Sequence, residues 1–262
     1  MDGTATYVYC IVRSARAPRT ARAPRGLAGA TRPSVAAVTR SLSLVIATVP
    51  LESYGSGPLE SALQDMQWVA EVAVAHEAVV EYFARQAGVT VIPMKLFTMF
   101  TSGARAIEET RSRECDLEAA AKRIAGCEEW GVRITRRLAA SRRQRRLDVK
   151  PSSGAAFLAA KKDARDVARA AVHAAAEAAE RAFTTLASIA RDARRRDDAP
   201  EGTSTPPLLD AAFLVPTMRR ARFKAAVRKL AATQVKTGTK MTLSGPWPSY
   251  NFVQDGSAHE PA

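Results

Sequence analysis

Apolar and polar positions follow two different periods along this chain, and each change of period marks an element. Residues 6–12, TYVYCIV, are β-branched and aromatic almost throughout and predict a strand. Two further apolar runs, VAAV (35–38) and LSLVIATV (42–49), flank a short TRS turn and predict a hairpin. The intervening RSARAPRTARAPRGLAGATRP is rich in Arg, Ala, Pro and Gly, with two RAPR repeats, and reads as a loop with nothing to pack. Ser61 and Gln64 make an S-x-x-Q capping signature, which places a helix start there. Val69, Val72, Ala73, His76, Val80 and Phe83 then recur at three- and four-residue spacing, so one stripe of a long helix faces a core. VTVIP (89–93) predicts the next strand, continued or kinked through MKLFTMF by Pro93. Residues 102–126 are charged and alanine-rich and predict a helix that Gly126 ends, and EEWGVRIT (128–135) closes the first half as a strand.

The second half opens differently. From Gly154 to Ala199 the sequence is alanine-rich and charged, with no Pro or Gly after Gly154. About 40 helical residues would span ~60 Å. Ala168, Val172, Ala175, Ala179, Ala182, Leu186 and Ile189 alternate by four and three, a narrow seam that calls for a partner helix, antiparallel or from another molecule. DDAPEGTSTPP is expected as a surface loop, LLDAAFLVP (208–216) as a strand, 218–235 as an amphipathic helix and KMTLSG (240–245) as a last strand. The strand exits into PWPSYNFV, which its prolines should hold extended. Trp247, Tyr250 and Phe252 are expected to cap the open end of the second core, each ring contributing about 2 kcal/mol. The pattern is α+β, with helices over one face of a sheet and two domains, 1–150 and 151–262.

Charge complicates this picture. Lys and Arg outnumber Asp and Glu by 39 to 26, a net +13 with a pI near 10.2. That balance suits a polyanion, so a basic nucleic-acid-binding protein is the alternative reading. General enrichment in Arg and Ala weakens it. The basic run Trp130 to Lys150 reads first as a solvated face or linker. Helix-turn-helix, RRM and zinc-finger signatures are missing, and the aromatics do not interleave with the basic run. Cys10, Cys115 and Cys127 make an odd number without a CxxC pair, which points to reduced thiols and a cytoplasmic setting. The sequence carries neither an apolar run of membrane-spanning length nor a recognisable signal peptide.

Candidate chemistry is sparse. His76-Glu77 begins like HExxH, but Val80 stands where the second His must be. His76 therefore reads as a hydrogen-bonded core histidine. Glycines form no phosphate-binding pattern, and YGSGP lacks the G-x-S-x-G spacing. Glu128 and Glu129 are adjacent in a strand and so point to opposite faces. The sequence offers no catalytic group, cofactor site or metal set, and it reads as a binding protein rather than an enzyme.

Several separated stretches together resemble the GvpL/GvpF family of gas vesicle proteins. These are YVYCIV, WVAEVAVAHEAVVEYF, VIPMKLFTMF, EEWGVRI, GAAFLAAKK, DAAFLVP and LSGPWPSYNFV, in that order and over nearly the whole chain. Cys10 replaces a usual glycine, and Ser249 replaces the second proline of a GPWPP run. The resemblance implies an N-terminal α+β domain and a C-terminal ferredoxin-like domain with a long helix. It further implies an accessory or minor structural protein that associates with the small hydrophobic shell protein of the gas vesicle and with other accessory proteins. Trp130, Trp247, Tyr250 and Phe252 are the candidate partner-binding residues.

Overall fold

The computed structural model of the protein describes residues 3–136, 153–196, 207–234 and 238–253. The chain forms two compact units. The first holds Met1–Glu128 together with Trp247–Ala262, and the second holds Glu129–Pro246. The boundary expected at residue 150 lies outside the described residues, as do most of the basic run from 137 onward and the loop expected after residue 197. The two compact units divide after Glu128, and the chain returns to the first unit at Trp247.

The first unit is built on β1 (Thr4–Ser14), which pairs antiparallel with β3 (Leu42–Pro50) on one side and β4 (Val89–Pro93) on the other. β2 (Ser34–Ala37) completes the hairpin with β3, and the short β5 (Met99–Phe100) pairs with β1 at Thr6 and Tyr7. Tyr7, Tyr9 and Val12 join a core with Val72, Val80 and Phe83 of the helix α3 (Met66–Ala84). Val8 and Ile11 alternate with them and are buried too. Both faces of this strand are therefore covered, not one, which is why its sequence is apolar without alternation. α4 (Gly103–Ser112) also packs on β1, and α5 (Glu114–Ile124) packs on β4.

Two expectations for this unit need correction. Ser61 lies inside a short helix, α2 (Ser56–Ala62), which follows α1 (Leu51–Tyr54). The cap of α3 is Asp65, whose Oδ1 accepts from Gln67 N at 2.9 Å and Trp68 N at 3.3 Å. That bond pair satisfies two amides that a helix start leaves open, so the capping signature is not needed. The helix expected over 102–126 is two helices, broken at Arg113, whose φ of −108° and ψ of 18° leave the helical region.

The second unit begins with β6 (Cys127–Arg136), whose first two residues belong to the first unit. α6 (Gly154–Ala187), β7 (Asp192–Arg195), β8 (Leu209–Pro216), α7 (Arg220–Gln234) and β9 (Thr239–Trp247) follow. The sheet order is β7-β8-β6-β9. A βαββαβ chain in that order is the ferredoxin-like arrangement, in which each helix crosses over one intervening strand. Its core joins Trp130, Val132 and Ile134 of β6 to Phe213 of β8, Phe223 of α7 and Ala179, Ala182 and Leu186 of α6. α6 ends at Ala187, earlier than expected, because the chain turns into β7. Gly131 sits where an added Cβ would meet Ser244 Oγ at 2.5 Å. The glycine of EWGV is thus set by close approach to the SGPW strand, β9.

Candidate functional site

In the first unit the buried polar groups gather where the C-terminal tail docks. The tyrosine-rich start of β1 sends Tyr7 and Tyr9 towards α3, and the three- and four-residue spacing of that helix brings His76 beneath them. The Tyr7 hydroxyl lies 2.8 Å from His76 Nδ1 and 3.4 Å from the Phe97 amide. Phe97 N–H donates to the Tyr7 hydroxyl, which keeps its own proton and a second lone pair, so the Tyr7–His76 bond suits either neutral tautomer of the imidazole. Burial pushes His76 down to about 4, against a smaller opposing effect of the Met94 backbone. Burial likewise raises the Tyr7 hydroxyl and the Cys10 thiol, so neither ionises readily. The expectation of a hydrogen-bonded core histidine holds, and these groups are locked in their neutral forms.

Glu77, the next residue of α3, accepts from the Tyr250 hydroxyl at 2.6 Å. The tail folds into a 3₁₀ turn, Tyr250–Phe252, in which Tyr250 N donates to Pro248 O at 2.8 Å. Arg123 of α5 donates to the Phe252 carbonyl at 2.6 Å, and the Phe252 ring is fully buried. The tail therefore completes the first unit and does not cap the second core. Sequence reasoning assigned it to the nearer unit in the chain; the polar partners that decide the matter, Glu77 and Arg123, carry no signal in linear order.

The four candidate aromatics separate by exposure. Trp130 is 3% exposed, packed near Phe223 in the second core with Lys224 over its ring. Phe252 is buried and Tyr250 half-buried, while Trp247 is 41% exposed. Trp130 belongs to the second unit, and Trp247, Tyr250 and Phe252 belong to the first.

A polar cluster that the sequence did not reveal lies in the second unit. Asp210, buried on β8, receives Arg133 Nε at 2.7 Å on one carboxylate oxygen and Arg196 Nε at 2.9 Å on the other. Two guanidinium groups on one carboxylate neutralise it and tie β6 to the chain leaving β7. It is a structural clamp with every carboxylate oxygen engaged.

The first half of α6 is the clearest unpartnered feature. From Phe157 to Ala174 every residue is exposed, whereas Ala175, Ala179, Ala182 and Leu186 are buried. The later part of the seam has its partner in α7, which packs on α6, and Gln234 Nε2 donates to the Ala178 carbonyl at 3.0 Å. About 27 Å of helix precedes it. Phe157, Leu158 and Val167, each more than half exposed, lie on that stretch.

A family model described as "Gas vesicle synthesis protein GvpL/GvpF" matches residues 5–254. The chain is 26% identical over 230 residues to Gas vesicle protein L of Streptomyces sp. (strain CB03234), covering 84% of this chain and 83% of that one. Its fold is similar to the crystal structure of GvpF from Anabaena sp. PCC7120, with TM-score 0.67 and 15% identity over 99% of this chain and 100% of that one. GvpF from Microcystis aeruginosa is similar at TM-score 0.65 and 12% identity, over 95% and 99% of the two chains. These match the α+β architecture described above, and no described helix is long and apolar enough to cross a membrane. With the family model spanning both units and the tail that returns to the first, the chain belongs to the GvpL/GvpF family of gas vesicle proteins.

Proposed function

We propose that this protein is an accessory protein of gas vesicle assembly that binds the small hydrophobic shell protein and keeps its apolar surface from aggregating. The observation that carries the reading is the exposed first half of α6, where Phe157 continues the line of the buried Ala175, Ala179, Ala182 and Leu186 into solvent and Leu158 and Val167 are exposed on either side of that line. A buried helical stripe whose line runs on into solvent without a covering element leaves apolar surface for another chain to cover. The net charge of +13 then serves solubility, holding the bound complex apart from its neighbours. Trp247 is the one candidate aromatic assigned to partner contact. Trp130 and Phe252 act indirectly, by fixing the cores, and Tyr250 by fastening the tail. A non-enzymatic role agrees with the neutral, buried state of His76 and Cys10.

The test is co-expression with a gas vesicle shell protein and measurement of the soluble shell fraction. The chain should raise that fraction, and replacing Phe157→Glu with Leu158→Glu should return it to the level without the chain. Equal precipitation with and without the chain would overturn the reading.

A further inference from the structure

The segment between β1 and β2 was expected to be an unpacked loop, and it is held down along its length. Arg19 N donates to Gln86 Oε1 at 2.8 Å, and Gln86 Nε2 donates back to Arg19 O at 2.9 Å. Leu27 N donates to the Tyr9 hydroxyl at 3.1 Å, and the Tyr54 hydroxyl to Ala28 O at 2.9 Å. Thr31 N reaches Thr48 O at 2.9 Å, and Leu27 is buried. Gly26, at φ +79°, passes so close to Tyr9 that an added Cβ would lie 2.2 Å from its hydroxyl. Only glycine fits there.

What this pinned segment displays is arginine. One occurs at every third position from Arg13 to Arg25, followed by Arg32 and Arg40, and no Asp or Glu occurs between Asp2 and Glu52. Arg13 is paired with Glu118. Arg16, Arg22, Arg25 and Arg32 are exposed and form no ion pair among the described residues. Holding like charges side by side in an ordered segment is unfavourable unless an anionic partner offsets it.

Beside this ribbon lies a cleft of about 550 Å³ lined by Arg25, Leu27, Arg32, Tyr54, Trp68 and Glu71, among others. Leu27 and Tyr54 are buried, while both arginines and Glu71 are exposed at its mouth. Trp68 is fixed by stacking on Phe97 at 5.8 Å with an interplanar angle of 3°, and by Tyr54 at 6.1 Å. The site is thus preformed, apolar within and cationic at its edge, a form that suits a ligand with one large apolar group flanked by negative charge.

We propose that the arginine ribbon and this cleft form a docking site for an acidic segment of a partner protein, with a large apolar side chain in the cleft and carboxylates on Arg25 and Arg32. A peptide fits better than a nucleic acid. Glu71 at the mouth can accept a peptide N–H, whereas a phosphodiester backbone has no donor to offer and is repelled. Trp68 already carries Phe97 on its face and is only half exposed, so it makes a poor platform for stacked bases. The inference rests on reading the chain as a protein that works by binding other proteins, but it concerns a different surface from α6.

The experiment titrates the full chain into a short fluorescent peptide of glutamates around a single leucine and follows anisotropy. The same peptide with alanine for leucine, one with lysines for glutamates, and a labelled DNA duplex are run in parallel. The leucine peptide should bind, the alanine peptide about tenfold more weakly, and the lysine peptide not at all. Arg25→Ala with Arg32→Ala, both on the surface and expected to leave the circular dichroism unchanged, should weaken the leucine peptide by about tenfold or more. Equal binding of leucine and alanine peptides, tighter binding of the duplex, or indifference to the two arginine changes would overturn the proposal. Because the shell-protein solubility test reads α6, a failure here leaves that result standing, and a failure there leaves this one.

Discussion

Tyr250 donates its hydroxyl to Glu77 at 2.6 Å, a bond between residues 173 positions apart in sequence that fastens the end of the chain to the helix α3. The docked 3₁₀ turn also buries Phe252 and gives its carbonyl to Arg123. A tail held by a charged hydrogen bond and a buried ring behaves as part of the core it completes.

Tyr250→Phe should therefore lower the stability of the first unit by about 2 kcal/mol, the cost of leaving a partly buried carboxylate short of a donor. Phe252→Ala should cost about 3 kcal/mol through the cavity it leaves. Hydrogen exchange measured segment by segment should show β1 and α3 losing protection in both variants. Loss confined instead to β8 and α7 would mean that the tail supports the other unit.

The buried imidazole predicts an acid sensitivity. His76 is held near 4, below its ordinary 6.5, so an unfolded chain takes up a proton that the folded one refuses. Stability from this group is complete above about 6.5 and is lost as pH falls from there to about 4, on the order of 3 kcal/mol in all. Chemical denaturation across that window should show the slope, and His76→Gln should flatten it. An equally steep slope in the variant would assign it to carboxylates elsewhere.

Asp210 is nearly buried, and its two oxygens hold Arg133 and Arg196. Asp210→Asn keeps the shape and removes the charge, leaving two guanidinium groups facing each other. A loss of about 3 kcal/mol is expected, read by thermal unfolding of the second unit, with the first unaffected. Little change would show that solvent at the two arginines already compensates.

Strands with strong apolar runs were legible in the sequence. TYVYCIV, LSLVIATV, VTVIP and DAAFLVP all form where their composition places them, because burial on a sheet selects those side chains directly. β7 was missed because Asp192–Arg195 is an edge strand of charged residues, a composition that protects edges and hides them. The break at Arg113 was invisible for another reason. Ala106, Thr110, Leu117, Ala121 and Ile124 keep a helical spacing across it, so the buried stripe gives no sign of the interruption. The docking of the arginine loop was missed since its anchors are mostly backbone groups meeting Tyr9, Tyr54 and Gln86. Of the candidate aromatics, residue type announced a packing role but not which core each would enter. That choice depends on Glu77 and Arg123, which look like ordinary surface charges in a linear reading.

Because Phe252 belongs to the same unit as β1 and α3, a ribosome must make the whole of the intervening second unit before the first has all its parts. Until residue 252 has emerged, β1 and α3 lack the ring that completes their packing, and the nascent chain stays a client for chaperones longer than the position of its first strands would suggest.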